Sequence, residues 1–88
     1  MKIKTGFIKR MVGGRNIAVA VGERCKEFDG MITLNDMAGF IWDCLESDTT
    51  PEEIVKKVLK EYDVDRQKAT EDVSSFIKTL KDAGLIDE

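Results

Sequence analysis

Hydrophobic and polar positions follow a period of two over the first third of the chain and a helical period thereafter. Ile17, Val19 and Val21 alternate with Asn16, Ala18 and Ala20, which gives a strand one bulky face and one small or polar face. The run from Gly6 to Val12 ends at Gly13-Gly14. A Gly pair accepts the positive φ of a tight hairpin turn, so antiparallel strands are predicted over 5–12 and 15–21. The polar stretch 22–30 reads as a loop, and 31–34 reads as a short third strand.

From there the apolar positions recur at helical spacing. Asn35 is placed as an N-cap with Asp36 at the positive end of the helix dipole, and Ala38, Ile41, Trp42 and Leu45 form one stripe, predicting a helix over 36–46. Gly39 inside it weakens the helix by about 1 kcal/mol against Ala, which suggests a close packing contact. Thr50-Pro51-Glu52-Glu53 carries a capping Thr, a Pro at the first helical position and a Glu at the third. That start, with Ile54, Val55, Val58, Leu59 and Tyr62 as its apolar face, predicts a helix over 51–62. Asp65 caps a third helix over 66–83, whose stripe is Ala69, Val73, Phe76, Ile77 and Leu80. Gly84 is placed to end it, with Leu85 folding back onto the last turn. The expected fold is α+β: a three-stranded antiparallel sheet followed by three α-helices, like a winged helix-turn-helix. The 88 residues are expected to form a single domain over 1–88.

Composition narrows the chemistry. Histidine is absent, which removes Ser/His and Cys/His catalysis and every zinc site that uses His. Cys25 and Cys44 form no CxxC and cannot alone complete a tetrahedral zinc site. Free thiols are expected, with a disulfide as the minor alternative. Carboxylates are plentiful, but none is paired with a base, nucleophile or metal-ligand cluster, and Gly13-Gly14 has no phosphate-loop context. An enzyme is therefore not expected, nor is a cofactor or metal. No apolar run is long enough to span a bilayer and the N-terminus lacks a signal-like stretch, so the expected location is cytoplasmic, without a membrane partner.

The formal charge of −3 is split along the chain. Residues 1–30 carry seven basic groups and three acidic ones, a net +4, whereas residues 31–88 carry seven and fourteen, a net −7. Two surfaces of opposite sign are the implication, each with a complementary partner.

Several segments in order resemble the PqqD family, the pyrroloquinoline quinone biosynthesis protein D family. Leu34-Asn35-Asp36-Met37-Ala38-Gly39-Phe40-Ile41-Trp42 is similar to its Leu-Asn-x-x-(Gly/Ala)-x-x-Ile-Trp signature. The Gly13-Gly14 hairpin, Thr50-Pro51-Glu52-Glu53-Ile54, Tyr62-Asp63-Val64, Asp72-Val73-Ser74-Ser75-Phe76-Ile77 and Leu80-Lys81-Asp82-Ala83-Gly84-Leu85-Ile86 match later landmarks. Met37 departs from the pattern, which has a small hydroxyl residue there, usually Thr. The resemblance implies a non-catalytic module that binds the leader of a ribosomally made precursor peptide and presents it to a modifying enzyme, often a radical S-adenosylmethionine enzyme. It further implies that the leader adds as a strand beside Met31, Ile32, Thr33 and Leu34. The opposing wall would come from Asp72, Val73, Phe76, Ile77 and Leu80. Strand addition suits an edge with unpaired N–H and C=O groups. Ile32, Leu34, Phe76 and Ile77 equally suit ordinary core packing, and Asp72 equally suits a solvated helix face.

Two other readings stay open. A winged helix-turn-helix can bind DNA, yet 51–62 is neutral, with Glu52, Glu53 and Glu61 against Lys56, Lys57 and Lys60. The 66–83 segment is only +1, and phosphate binding needs more positive charge than that. Nucleic acid is therefore not the expected partner. A generic protein–protein adaptor would share the fold and use the same edge. Association through exposed edges allows a monomer or a weak homodimer.

Overall fold

The computed structural model describes residues 1–23 and 30–87, so positions 24–29 of the expected polar loop, Cys25 among them, lie outside the described residues. Two strands cross first: β1 (Lys2–Ile3) and β2 (Phe7–Val12), separated by a turn at Gly6, whose φ is 100°. Gly13 and Gly14 then take φ of 59° and 79°, and β3 (Arg15–Ala20) returns along β2. Two consecutive positive φ values fit the twist of a two-residue hairpin, and the pairing closes on Val12↔Arg15. β4 (Met31–Leu34) pairs antiparallel with β3, from Val19↔Met31 to Asn16↔Leu34. The sheet order is β2-β3-β4, which leaves β4 at an edge.

Three helices follow: α1 (Asp36–Cys44), α2 (Pro51–Glu61) and α3 (Arg66–Asp82). Each begins at a residue whose side chain takes up an otherwise unbonded amide. The side chain of Asn35 accepts from the Ala38 amide at 2.8 Å, Thr50 from Glu53 at 3.2 Å, and Asp65 from Lys68 at 2.7 Å. The Glu53 carboxylate accepts from the buried Thr49 hydroxyl at 3.2 Å. At the other end of α3, Gly84 stands at φ 80° and the Leu85 amide donates back to the Leu80 carbonyl at 2.9 Å, while Gly84 donates to Lys81 at 3.0 Å. This left-handed closure drives Leu85 fully into the core.

β5 (Ile86–Asp87) then pairs antiparallel with β1, through Lys2↔Asp87 and Ile3↔Ile86. The sequence reading contains neither of these strands. They bring the two ends of the described chain together, and the Ile3 amide adds a bond to the Leu45 carbonyl at 2.8 Å. The architecture is α+β, three antiparallel strands and then three helices, with this extra two-stranded clamp.

The core gathers Ile41, Trp42 and Leu45 after the sheet, Ile54 and Val58 from α2, and Val73 and Leu80 from α3, all essentially without solvent contact. The sheet meets this core through Phe7 of β2, Ile32 and Leu34 of β4 and the small side of β3. Ala18 is fully buried and Ala20 half-buried, whereas Ile17 and Val19 occupy the opposite face. Small side chains let the first helix approach: a Cβ on Gly39 would stand 3.0 Å from Nδ2 of Asn16 on β3. The bulky face of the 15–21 segment therefore points away from the helices. Among the described residues no helix is long and apolar enough to cross a membrane.

Candidate peptide-binding edge and cleft

The free edge of β4 can be read from the hydrogen-bond alternation. The Val21 amide donates to Gly6 at 2.8 Å, so this pair is a bonded one. Antiparallel ladders alternate bonded and non-bonded pairs. Residues 15, 17 and 19 of β3 thus spend their backbone groups on β2, and 16, 18 and 20 turn theirs to the other side. Across β3 and β4, Ala18↔Ile32 and Asn16↔Leu34 become the bonded pairs. Met31 and Thr33 sit in the non-bonded positions, so both direct their N–H and C=O to the free edge. The side chains of Met31 and Thr33 are exposed, while Ile32 is half-buried and Leu34 is buried.

Immediately after this edge a cleft of about 330 Å³ opens between the start of α1 and the length of α3. Asn35, Met37, Ala38 and Ile41 form one wall. The other is a helical stripe at Lys68, Asp72, Ser75, Phe76 and Thr79, one row around α3 from the buried stripe. Phe76 is the member of the apolar stripe that stays half-buried, because it stands where the core row gives way to this one. Met37, Ala38 and Phe76 supply an apolar floor, and Lys68, Asp72, Ser75 and Thr79 a polar rim. The Thr79 hydroxyl is turned inward on its own helix, donating to the Ser75 carbonyl at 3.1 Å.

Lys68 Nζ donates to Asp72 Oδ1 at 3.0 Å, one helical turn away. The hydrogen bond and charge of Asp72 hold the Lys68 ammonium above its ordinary pKa. The Asp72 side chain retains about a third of its accessible surface, so the pair bounds the cleft as an ion pair open to an approaching group.

The nine residues expected to bind peptide therefore separate. Met31 and Thr33 lie on the open edge, and Asp72 and Phe76 lie in the cleft. Ile32 faces inward at partial burial, while Leu34, Val73, Ile77 and Leu80 are spent in the core at 5% exposure or less. Asn35, Met37, Ala38, Ile41, Lys68, Ser75 and Thr79 complete the cleft, and the sequence pattern places none of them among the peptide-contacting residues. The signal for the α3 members was their spacing of three or four from Asp72 and Phe76. Cys44 is free and half-buried, and burial pushes its thiol pKa up, which makes it a poor nucleophile. Among the described residues no group of His, Cys, Asp and Glu is placed to hold a metal ion.

Comparison with known proteins bears on the fold and the family. The solved structure of TbiB1 in complex with the TbiA(beta) leader peptide is 26% identical, covers 99% of this chain and 100% of its own, and has a TM-score of 0.72. Lasso peptide synthetase B1 complexed with the leader peptide shares the fold at a TM-score of 0.74 and 20% identity, covering 96% of this chain and 93% of its own. No curated protein sequence matches significantly. The profile of coenzyme PQQ synthesis protein D matches residues 17–86, from the middle of β3 through the first residue of β5, and on that match the chain belongs to the PqqD family.

Proposed function

We propose that this chain is a peptide-recognition element, which binds the leader of a ribosomally synthesised precursor peptide and presents it to a separate modifying enzyme. The leader adds as a strand to the free edge of β4, pairing with the outward N–H and C=O groups of Met31 and Thr33. It then continues over the cleft, where Phe76 and Met37 receive an apolar side chain and the Lys68–Asp72 pair meets a polar or charged one. Main-chain pairing gives affinity with little demand on sequence, and the cleft gives selection. The thioether of Met37, flexible and polarizable, adapts to more than one side-chain shape. The chain contributes no bond-making chemistry of its own. The enzyme partner is, by the family resemblance, of the radical S-adenosylmethionine class.

The observation that carries this reading is the juxtaposition of an unpaired strand edge with a cleft in a PqqD-family chain. A 26%-identical neighbour complexed with a leader peptide supports it. Calorimetric titration with the precursor peptide of this chain's pathway, followed by NMR, tests it. Heat of binding is expected with amide shifts concentrated at Met31–Leu34 and along the Lys68–Thr79 row. No heat and no such shifts up to about 100 μM peptide, where even weak specific complexes register, overturns the proposal.

A further inference from the structure

The face of the β2–β3–β4 sheet turned away from the helices has no role in that reading. Its register sets Ile8, Val19 and Met31 in one row across the three strands, with Arg10, Ile17 and Thr33 in the next. Ile8, Val12 and Met31 on this face are 37%, 54% and 65% exposed. Contiguous exposed apolar surface rimmed by polar groups marks an interaction site.

Charge selects the occupant. The three strands carry Lys9, Arg10 and Arg15 and no carboxylate at all. Lys9 lies on the inner face, with Nζ 2.7 Å from an Asp43 oxygen. Arg10 and Arg15 remain on the outer face and enter no ion pair among the described residues. A second copy would set this basic face against its like, a repulsive juxtaposition. An apolar surface rimmed by carboxylates fits it.

Position selects the occupant further. Met31 and Thr33 have their side chains on this face and their backbone groups on the edge that the leader is proposed to join. Alternate side chains of an added strand project to the same face of the sheet. A protein seated there contacts the sheet and one row of the bound peptide together.

We propose that this outer sheet face docks the modifying enzyme, through an enzyme surface with an apolar centre and acidic rim, so that peptide and enzyme share one platform. The proposal rests on the leader-recognition reading above.

The test uses the purified modifying enzyme of this chain's pathway and two variants, Arg10→Glu/Arg15→Glu and Ile8→Ser/Val12→Ser, each checked for folding by circular dichroism. The expected result is that both variants lose enzyme affinity, the charge reversal by at least about tenfold, while leader affinity stays within about twofold. Raising salt from about 50 to about 300 mM should weaken wild-type docking and leave the reversed variant little changed. Enzyme affinity unchanged in both variants overturns the docking face. So does sedimentation that finds a wild-type dimer split by these substitutions, since the face then belongs to a second copy. So does equal loss of binding to duplex DNA with the enzyme unaffected. Failure of the wild type to bind leader sinks the recognition reading itself, and is read independently in the peptide titration.

Discussion

Replacing Thr33 by Pro addresses the proposed edge at a single atom. Thr33 lies opposite Ile17 in a non-bonded position, so its N–H points away from β3. Proline there leaves the Ala18↔Ile32 and Asn16↔Leu34 bonds of the ladder intact, and edge strands accept Pro on the solvent side. The folded chain is therefore expected to keep its stability within about 1 kcal/mol. The leader is expected to lose more. A peptide carbonyl aimed at Thr33 would face a ring with no donor, and an unsatisfied group at a partly desolvated interface costs about 1–3 kcal/mol, or roughly 5- to 150-fold in Kd. Ile32→Pro serves as the opposite control. It removes a donor used inside the β3–β4 ladder, so it is expected to damage the sheet itself, with loss of stability in urea. The assay is calorimetric titration of each folded variant with the precursor peptide, beside urea unfolding. A folded Thr33→Pro chain that binds the leader within twofold of wild type refutes strand addition at this edge.

Three further outcomes are expected. Phe76→Ala, which strips the aromatic wall from the cleft, should weaken leader binding at least about tenfold in the same titration, because buried aromatic anchors dominate such interfaces. Gly84→Ala should destabilise the fold by about 1–2 kcal/mol in urea unfolding, since its φ of 80° strains any residue with a Cβ although nothing crowds the position. Lys68 is raised above its ordinary pKa by Asp72, so the stability it gains from ionisation is present at neutral pH and is lost as pH rises through the elevated value. A carbon-13 NMR titration of Lys68 should find its midpoint raised, returning towards the ordinary value in Asp72→Asn.

The order of strands and helices was legible because local chemistry and tertiary packing agree at each boundary. Asn35, Thr50 and Asp65 each supply the oxygen their helix start needs, and Gly13-Gly14 supplies two positive φ values in succession. The clamp of β1 and β5 was not legible. Two-residue strands carry no period, and their pairing joins positions at opposite ends of the described chain. What holds Lys2–Ile3 in place is long-range: the partner strand and the Leu45 carbonyl.

The candidate site was legible at the strand edge, through Met31 and Thr33, and on α3 only at Asp72 and Phe76. Strand 31–34 is short and at an edge because of its sequence neighbours, and Met31 and Thr33 follow from alternation once the hairpin is fixed. The wall on α3 needed a finer distinction, because Val73, Ile77 and Leu80 share an apolar stripe with Phe76 yet only Phe76 reaches the cleft. The helical period assigns a residue to a stripe, and the neighbouring element decides which margin of the stripe stays open.

The same limit governs the sheet. Alternation at 17, 19 and 21 separates a bulky face from a small one, and the usual expectation puts bulk inward. Here Gly39 and Asn16 set the inward side, because α1 comes so close that a Cβ on Gly39 would stand at 3.0 Å from Asn16. Ala18 and Ala20 fit that narrow gap, while Ile17 and Val19 would not without pushing α1 away. On β3 the core thus takes the small face, while Ile17 and Val19 stand half-buried on the outer face with Arg10 and Arg15 beside them. On the docking proposal, a central strand turned this way leaves its bulk where a larger protein would seat, while Phe7, Ile32 and Leu34 keep the other face of the sheet in the core.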